Sequence, residues 1–265
     1  IRGGVLTLQQ NGALSLTSAI NNYYGTINLD NTTNPINDIN RVNTTAPLTL
    51  QGGTLAYLGY AGTDSTQNIG AVALQNGAST ITATRGTGGS AGLTLASLTP
   101  DAFSTVNFTT GAGVLGQGAQ FDNTNSRIII TSAPTLTNGI IGGWAVVGGT
   151  DFASYRSTAD ATTGAIGIGA LGQTLIGTTP FGAYSTSALT AGTATDNITT
   201  AASVTGVTTR TVNSLRVSAA ATVTQSTLNS TLTLGSGGLI ANGAASVFAG
   251  GQLSAGATAN TAASL

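Results

Sequence analysis

The sequence predicts an all-β fold, a β-solenoid in which short strands wind into stacked coils, and three observations predict it. Thr, Val and Ile, which favour extended backbone, are abundant, and 38 Gly with many Asn supply the turns between them. Short runs alternate between an apolar residue and Thr or Ser, the period of a strand with one buried face. Self-similar pieces recur: 48–55 reads LTLQGGTL and 232–240 reads LTLGSGGLI, with the strand–Gly–Gly–strand element also at 1–6 (IRGGVL). Repetition of one small unit is the mark of a repeat architecture.

Taken in order, the predicted strands are 5–8 (VLTL), 13–16 (ALSL), 26–29 (TINL), 48–50 (LTL) and 54–58 (TLAYL). They continue at 71–74 (AVAL), 79–84 (STITAT), 93–95 (LTL), 105–109 (TVNFT) and 127–131 (RIIIT). The later ones are 214–217 (SLRV), 221–224 (ATVT) and 231–234 (TLTL). No long stripe of helical period appears, so helix content is expected below about 10%, against the usual third. Turns fall at close intervals along the whole chain, which reads as one continuous solenoid segment over 1–265. Coils of roughly 20–25 residues would stack at about 4.8 Å. The stretch 100–163 is less regular and rich in aromatics, among them Phe103, Phe108, Phe121, Trp144, Phe152 and Tyr155. Loops or hairpins packed over the wall are expected there. An earlier group comprises Tyr23, Tyr24, Tyr57 and Tyr60.

What is missing limits the chemistry. There is no Cys, His or Met; all seven basic residues are Arg and all eight acidic residues are Asp, so charged residues make up 6% of the chain. A typical globular chain carries about 25%. Proton transfer and covalent catalysis draw on His, Lys, Cys and paired carboxylates, and most of that inventory is absent. Hydrophobic residues at 40% with a net charge of −1 argue against disorder. The scattered Arg residues and near-zero charge give no reason to bind nucleic acid or an anionic membrane. No apolar run reaches the roughly 18 residues of a membrane helix, and no cofactor is expected. The start at Ile1, without Met, reads as an internal piece of a longer chain whose export signals lie elsewhere.

Candidate sites are few. No two Asp residues are closer than the eight positions between Asp30 and Asp38, and Asx-turns at Asp64, Asp151 and Asp196 are the expected use of the carboxylates. The runs 122–125 (DNTN) and 28–31 (NLDN) offer oxygen ligands but lack the acid density of a calcium loop. Gly-rich 86–92 and 140–149 lack the Lys-Ser/Thr ending of a phosphate loop. Thr-x-Thr at Thr80, Thr82 and Thr84 has the spacing of ice-binding faces but is too sporadic for a long rank. Sequons at Asn31, Asn43, Asn107, Asn197 and Asn229 are near the number chance supplies. Trp144 and Tyr155 are the candidate contacts to a ligand or surface, against the plainer reading that the aromatics are satellite hydrophobic clusters.

In its ordered blocks the chain resembles the autotransporter-associated β-strand repeat proteins, in particular the giant versions of planctomycetes and related bacteria. The blocks are 69–82 (IGAVALQNGASTIT), 96–108 (ASLTPDAFSTVNF), 128–144 (IIITSAPTLTNGIIGGW) with 148–155 (GGTDFASY), and 211–217 (TVNSLRV). The resemblance implies a right-handed β-helix passenger, displayed on the cell surface or secreted, with no catalytic residues to carry over. The expected function is a non-enzymatic extracellular fibre or passenger shaft that associates with itself into filaments. The alternatives are an adhesin for glycans or surfaces and, behind it, a polysaccharide-cleaving β-helix.

Overall fold

The computed structural model describes residues 1–32, 40–117, 125–243 and 245–256. It is all-β: no helix occurs among these residues, hence none long and apolar enough to cross a membrane.

The first part lays down strands alternately in two parallel sheets. One sheet takes β1 (Val5–Leu8), β3 (Thr26–Asp30), β5 (Thr54–Leu58), β7 (Gly77–Thr84), β9 (Ser104–Thr109) and β11 (Ala145–Val147), in that order. The other takes β2 (Ile20–Tyr23), β4 (Leu48–Gln51), β6 (Asp64–Gln75), β8 (Ser90–Pro100) and β10 (Ser126–Ile130). Ladder partners lie 21, 28, 26 and 27 residues apart: Val5 with Thr26, Thr26 with Thr54, Thr54 with Thr80, Thr80 with Asn107. Because the register holds, inward side chains stack in columns. Ile27, Leu55, Ile81 and Phe108 form one, and Leu29, Tyr57 and Ala83 another, where the small Ala83 follows the large Tyr57. From the second sheet Gln67, Leu93 and Ile128 form a column whose polar member is buried. Its carboxamide accepts the Arg41 N–H and donates to the Asn68 carbonyl.

The corner between β4 and β5 explains why LTLQGGTL needs both glycines. Gly52 adopts φ +61°, and a Cβ there would fall 2.8 Å from Cδ1 of Tyr24, just past the end of the neighbouring β2. A Cβ on Gly53 would meet the carboxamide of Asn22. That buried carboxamide donates to Gly25 O and Thr54 O and accepts the Gly25 N–H, tying the end of β2 to the start of β5.

The continuous stack expected over 1–265 is interrupted. After β11 the chain reverses: β12 (Asp151–Arg156) pairs antiparallel with β11, and β13 (Gly167–Ala170) antiparallel with β12. Parallel pairing resumes with β14 (Asn197–Thr200), β16 (Arg210–Val217), β18 (Thr231–Ala241) and β20 (Gln252–Ala255) in one sheet. A companion sheet holds β15 (Val204–Val207), β17 (Ala221–Gln225) and β19 (Ser246–Ala249). Within 100–163, β9 and β10 therefore still belong to the first parallel stack, and the irregular stretch runs on to about β14.

Two sequence readings change. The stretch 13–16 (ALSL) forms a single bridge, Leu14 with Val42, and Leu16 is 96% exposed. The string LTLGSGGLI is not two strands around a turn but one strand, β18, with a register shift opposite Val212 and Ser214. Gly237 (φ +74°) and Gly238 let it bulge without breaking the ladder.

Candidate functional site

The junction between the two parallel stacks gathers the aromatics and charges from which a site would be built. Both candidate contact residues belong to its core. Trp144 is 9% exposed and packs in the first hydrophobic cluster with Ala145, Ala153 and Tyr155. Tyr155 is 7% exposed; its hydroxyl donates to Ile130 O at 2.6 Å and accepts the Ile130 N–H at 3.1 Å. These are the backbone groups of β10 that turn away from β8, where a further parallel strand would bind. The phenol stands in for that strand and closes the sheet edge, and burial pushes its pKa up. Both side chains are thus largely buried, and Trp144 reaches the wall of a cleft it shares with Val146 and Leu239. The satellite-cluster reading fits Phe152, which sits in a small separate cluster; Phe108, Trp144 and Tyr155 belong instead to the main core of the first stack, Phe103 is exposed, and Phe121 lies outside the described residues.

Around them the stacks meet backbone to backbone. A Cβ on Gly238 of β18 would meet the Phe152 ring at 2.6 Å and the Gly143 Cα at 2.8 Å, and one on Gly143 would meet Gly238 Cα at 2.6 Å. Ile140, Phe152, Leu171 and Ile240 close over this contact. Polar links flank it. Asn197 donates to Asn138 O at 2.6 Å, and its own carbonyl oxygen accepts from Asn213 and Ser214. Asp151 pairs with Arg216 at 3.3 Å and accepts the Tyr184 hydroxyl at 3.2 Å and the Thr150 hydroxyl at 3.0 Å. The Arg216 guanidinium stands 5.5 Å from the Tyr184 ring centre. Burial first, then the Asp151 charge, pushes the Tyr184 pKa well up, so the phenol stays protonated.

Beside this cluster opens a cleft of about 560 Å³ whose walls include Phe108, Val114, Leu171, Gln173, Asp151 and Arg216. Asp151 is already paired and hydrogen-bonded, and among the described residues no second carboxylate lines the cleft. The arrangement fastens the two stacks together through the Asp151–Arg216 pair and the Tyr184 hydroxyl.

The other described carboxylates are similarly engaged. Asp30, Asp101, Asp160 and Asp196 accept nearby backbone N–H groups in turns, and Asp160 also pairs with Arg156 at 3.3 Å. The Asx-turn expected at Asp64 is instead a cross-strand bond, accepting the Ser90 hydroxyl from β8, and Asp151 is the junction pair rather than a turn. No group of three or more His, Cys, Asp or Glu that could hold a metal occurs among the described residues. Most of the DNTN run and Asp38 lie outside them. Of the sequons, Asn31 and Asn197 are buried and hydrogen-bonded. The junction glycines carried no sequence signal beyond the paired Gly in IIGGW and GSGGL. In comparisons with family models, with curated proteins and with solved structures, none matched the chain.

Proposed function

We propose that the chain is a non-catalytic structural segment of a cell-surface or secreted fibre, with the two sheets of each stack forming faces of a β-solenoid. The observation that carries this reading is the ladder itself. β3, β5 and β7 are each paired in parallel on both sides, with apolar columns inside and mostly Thr, with Asn28, Asp30, Ala56 and Leu58, outside. Such a ladder gains a backbone register and a layer of core with every added coil, so its natural use is length. The right hand of the coil, and kinship with the autotransporter-associated β-strand repeat proteins, rest on the sequence blocks quoted above. The use of the described Asp side chains as turn caps and cross-links supports a role without catalysis.

The shaft is extended by repeating such segments, along one polypeptide or by association of copies, outside the cell. Electron microscopy of the native full-length protein tests this. Long thin rods are expected, resistant to protease; compact particles with no long axis would sink the proposal.

A further inference from the structure

In the first stack, the corner from the even strands to the odd strands turns through positive φ in five successive coils: at Gly3 and Gly4, Tyr24, Gly52, Gly77 and Phe103. Glycine adopts that conformation freely, whereas an L side chain is strained there. Tyr24 (φ 60°) and Phe103 (φ 61°) nevertheless carry aromatic rings, and both leave them outside, 66% and 73% exposed. Neither ring adds to the core, so packing does not account for the strain. Strained residues that the fold does not need are most often kept for function.

The neighbouring register position makes the same corner polar. Arg2 bridges to Tyr23, Tyr23 pairs with Gln51, and Gln51 with Gln75. With Gly3 and Tyr24 these four line a shallow groove of about 530 Å³. The Arg2 guanidinium lies 5.6 Å from the Tyr23 ring centre, and Gln75 is exposed. The coils repeat at about 4.8 Å, which puts the three steps from Tyr24 to Phe103 at roughly 14 Å. The strip thus offers two aromatic platforms, a glycine floor between them and a file of amide and guanidinium donors alongside.

This is the chemistry that recognises sugar rings: apolar faces of pyranoses stack on aromatic rings, and side-chain amides meet their hydroxyls. We propose that this corner binds a linear oligosaccharide, lying along the stack from Tyr24 towards Phe103. The inference goes beyond the shaft, and a shaft without ligand would leave the fibre reading intact.

Calorimetric titration with soluble β-linked glucose, β-linked N-acetylglucosamine and galacturonate oligosaccharides tests it. At least one is expected to bind, and Tyr24→Gly and Phe103→Gly should each weaken it by roughly tenfold or more. Because glycine relieves the strained φ, both variants should melt no lower than the parent. Gln75→Ala, which alters an exposed side chain, should also weaken binding. No binding to any of the three probes, or binding unchanged in both glycine variants, overturns the proposal.

Discussion

In the first stack the inward columns reach aromatic size: Tyr57 and Phe108 are fully buried, and Trp144 and Tyr155 close the upper end. In the second stack the fully buried core is aliphatic, Val212, Leu215, Val223, Leu232 and Leu234 among it, and Phe248 is only partly buried. The ladder offsets differ in the same sense. Asn197 pairs with Ser214 and Arg210 with Leu232, 17 and 22 residues on, against mostly 26–28 in the first stack. The larger inward side chains thus go with the longer spacing between these ladder partners, and the antiparallel β11–β12–β13 insertion with its glycine contact joins the two stacks.

The largest effect should come from the core that holds the aromatic side chains. Phe108→Ala leaves a cavity at the end of its column and is expected to cost about 3–5 kcal/mol. In the aliphatic core of the second stack, Leu234→Ala is expected to cost about 2–4 kcal/mol. Urea unfolding monitored by circular dichroism gives both. A Phe108→Ala loss under about 1 kcal/mol would mean that the column does not carry the stability assigned to it.

Next comes the joint. Gly238→Val places a branched side chain against Phe152 and the Gly143 backbone, and overpacking of this kind costs about 1–3 kcal/mol. It should also divide one unfolding transition into two, since the stacks share Gly143, Gly238 and the cluster of Ile140, Phe152, Leu171 and Ile240. A single unshifted transition would show that the contact does not couple them.

How much of this was legible in the sequence follows from burial. Strand 54–58 could be read residue for residue because Leu55 and Tyr57 point in while Thr54, Ala56 and Leu58 do not. β12 could not: its four central residues are all buried, so the alternation that marks a half-buried strand vanishes. β2 (INNY) hid its inward Asn22 as a polar residue. Trp144 and Tyr155 were visible as aromatics, but a sequence does not say which side of the wall an aromatic takes. Gly143 and Gly238, 95 positions apart, meet only through the fold.

The charged link is worth less. The side chains of Asp151 and Arg216 are 21% and 22% exposed, so solvent screens the pair in part. Asp151→Asn keeps the shape but removes the charge and is expected to cost about 1 kcal/mol. Asp160→Asn, at the partly exposed i,i+4 pair with Arg156, should cost less than that, and a difference of the opposite sign would rank the two links wrongly.

The smallest effect expected is that of pH, and its smallness is itself a consequence of composition. Without His, Cys, Lys or Glu, no side chain has an ordinary midpoint between the aspartates near 3.9 and the tyrosines near 10. The N–H of Thr163, and its hydroxyl, hold Asp160 below the usual range; the N–H of Thr193 does the same for Asp196. A depressed folded pKa adds stability that is complete above the ordinary aspartate value and is lost as pH falls through the folded one. Burial raises Tyr155 and Tyr184, so their contribution is complete below the ordinary tyrosine value and is lost as pH rises beyond it. Both losses lie outside about pH 5–9, within which the melting temperature should stay level to within about 2 °C. Thermal melts followed by circular dichroism across that range check the plateau. The alkaline fall should be smaller in Tyr155→Phe, whose ring cannot ionise, though that variant starts lower because Ile130 loses its cap. A steady slope between about pH 5.5 and 6.5 would contradict the ledger of titrating side chains, since none of them changes charge there.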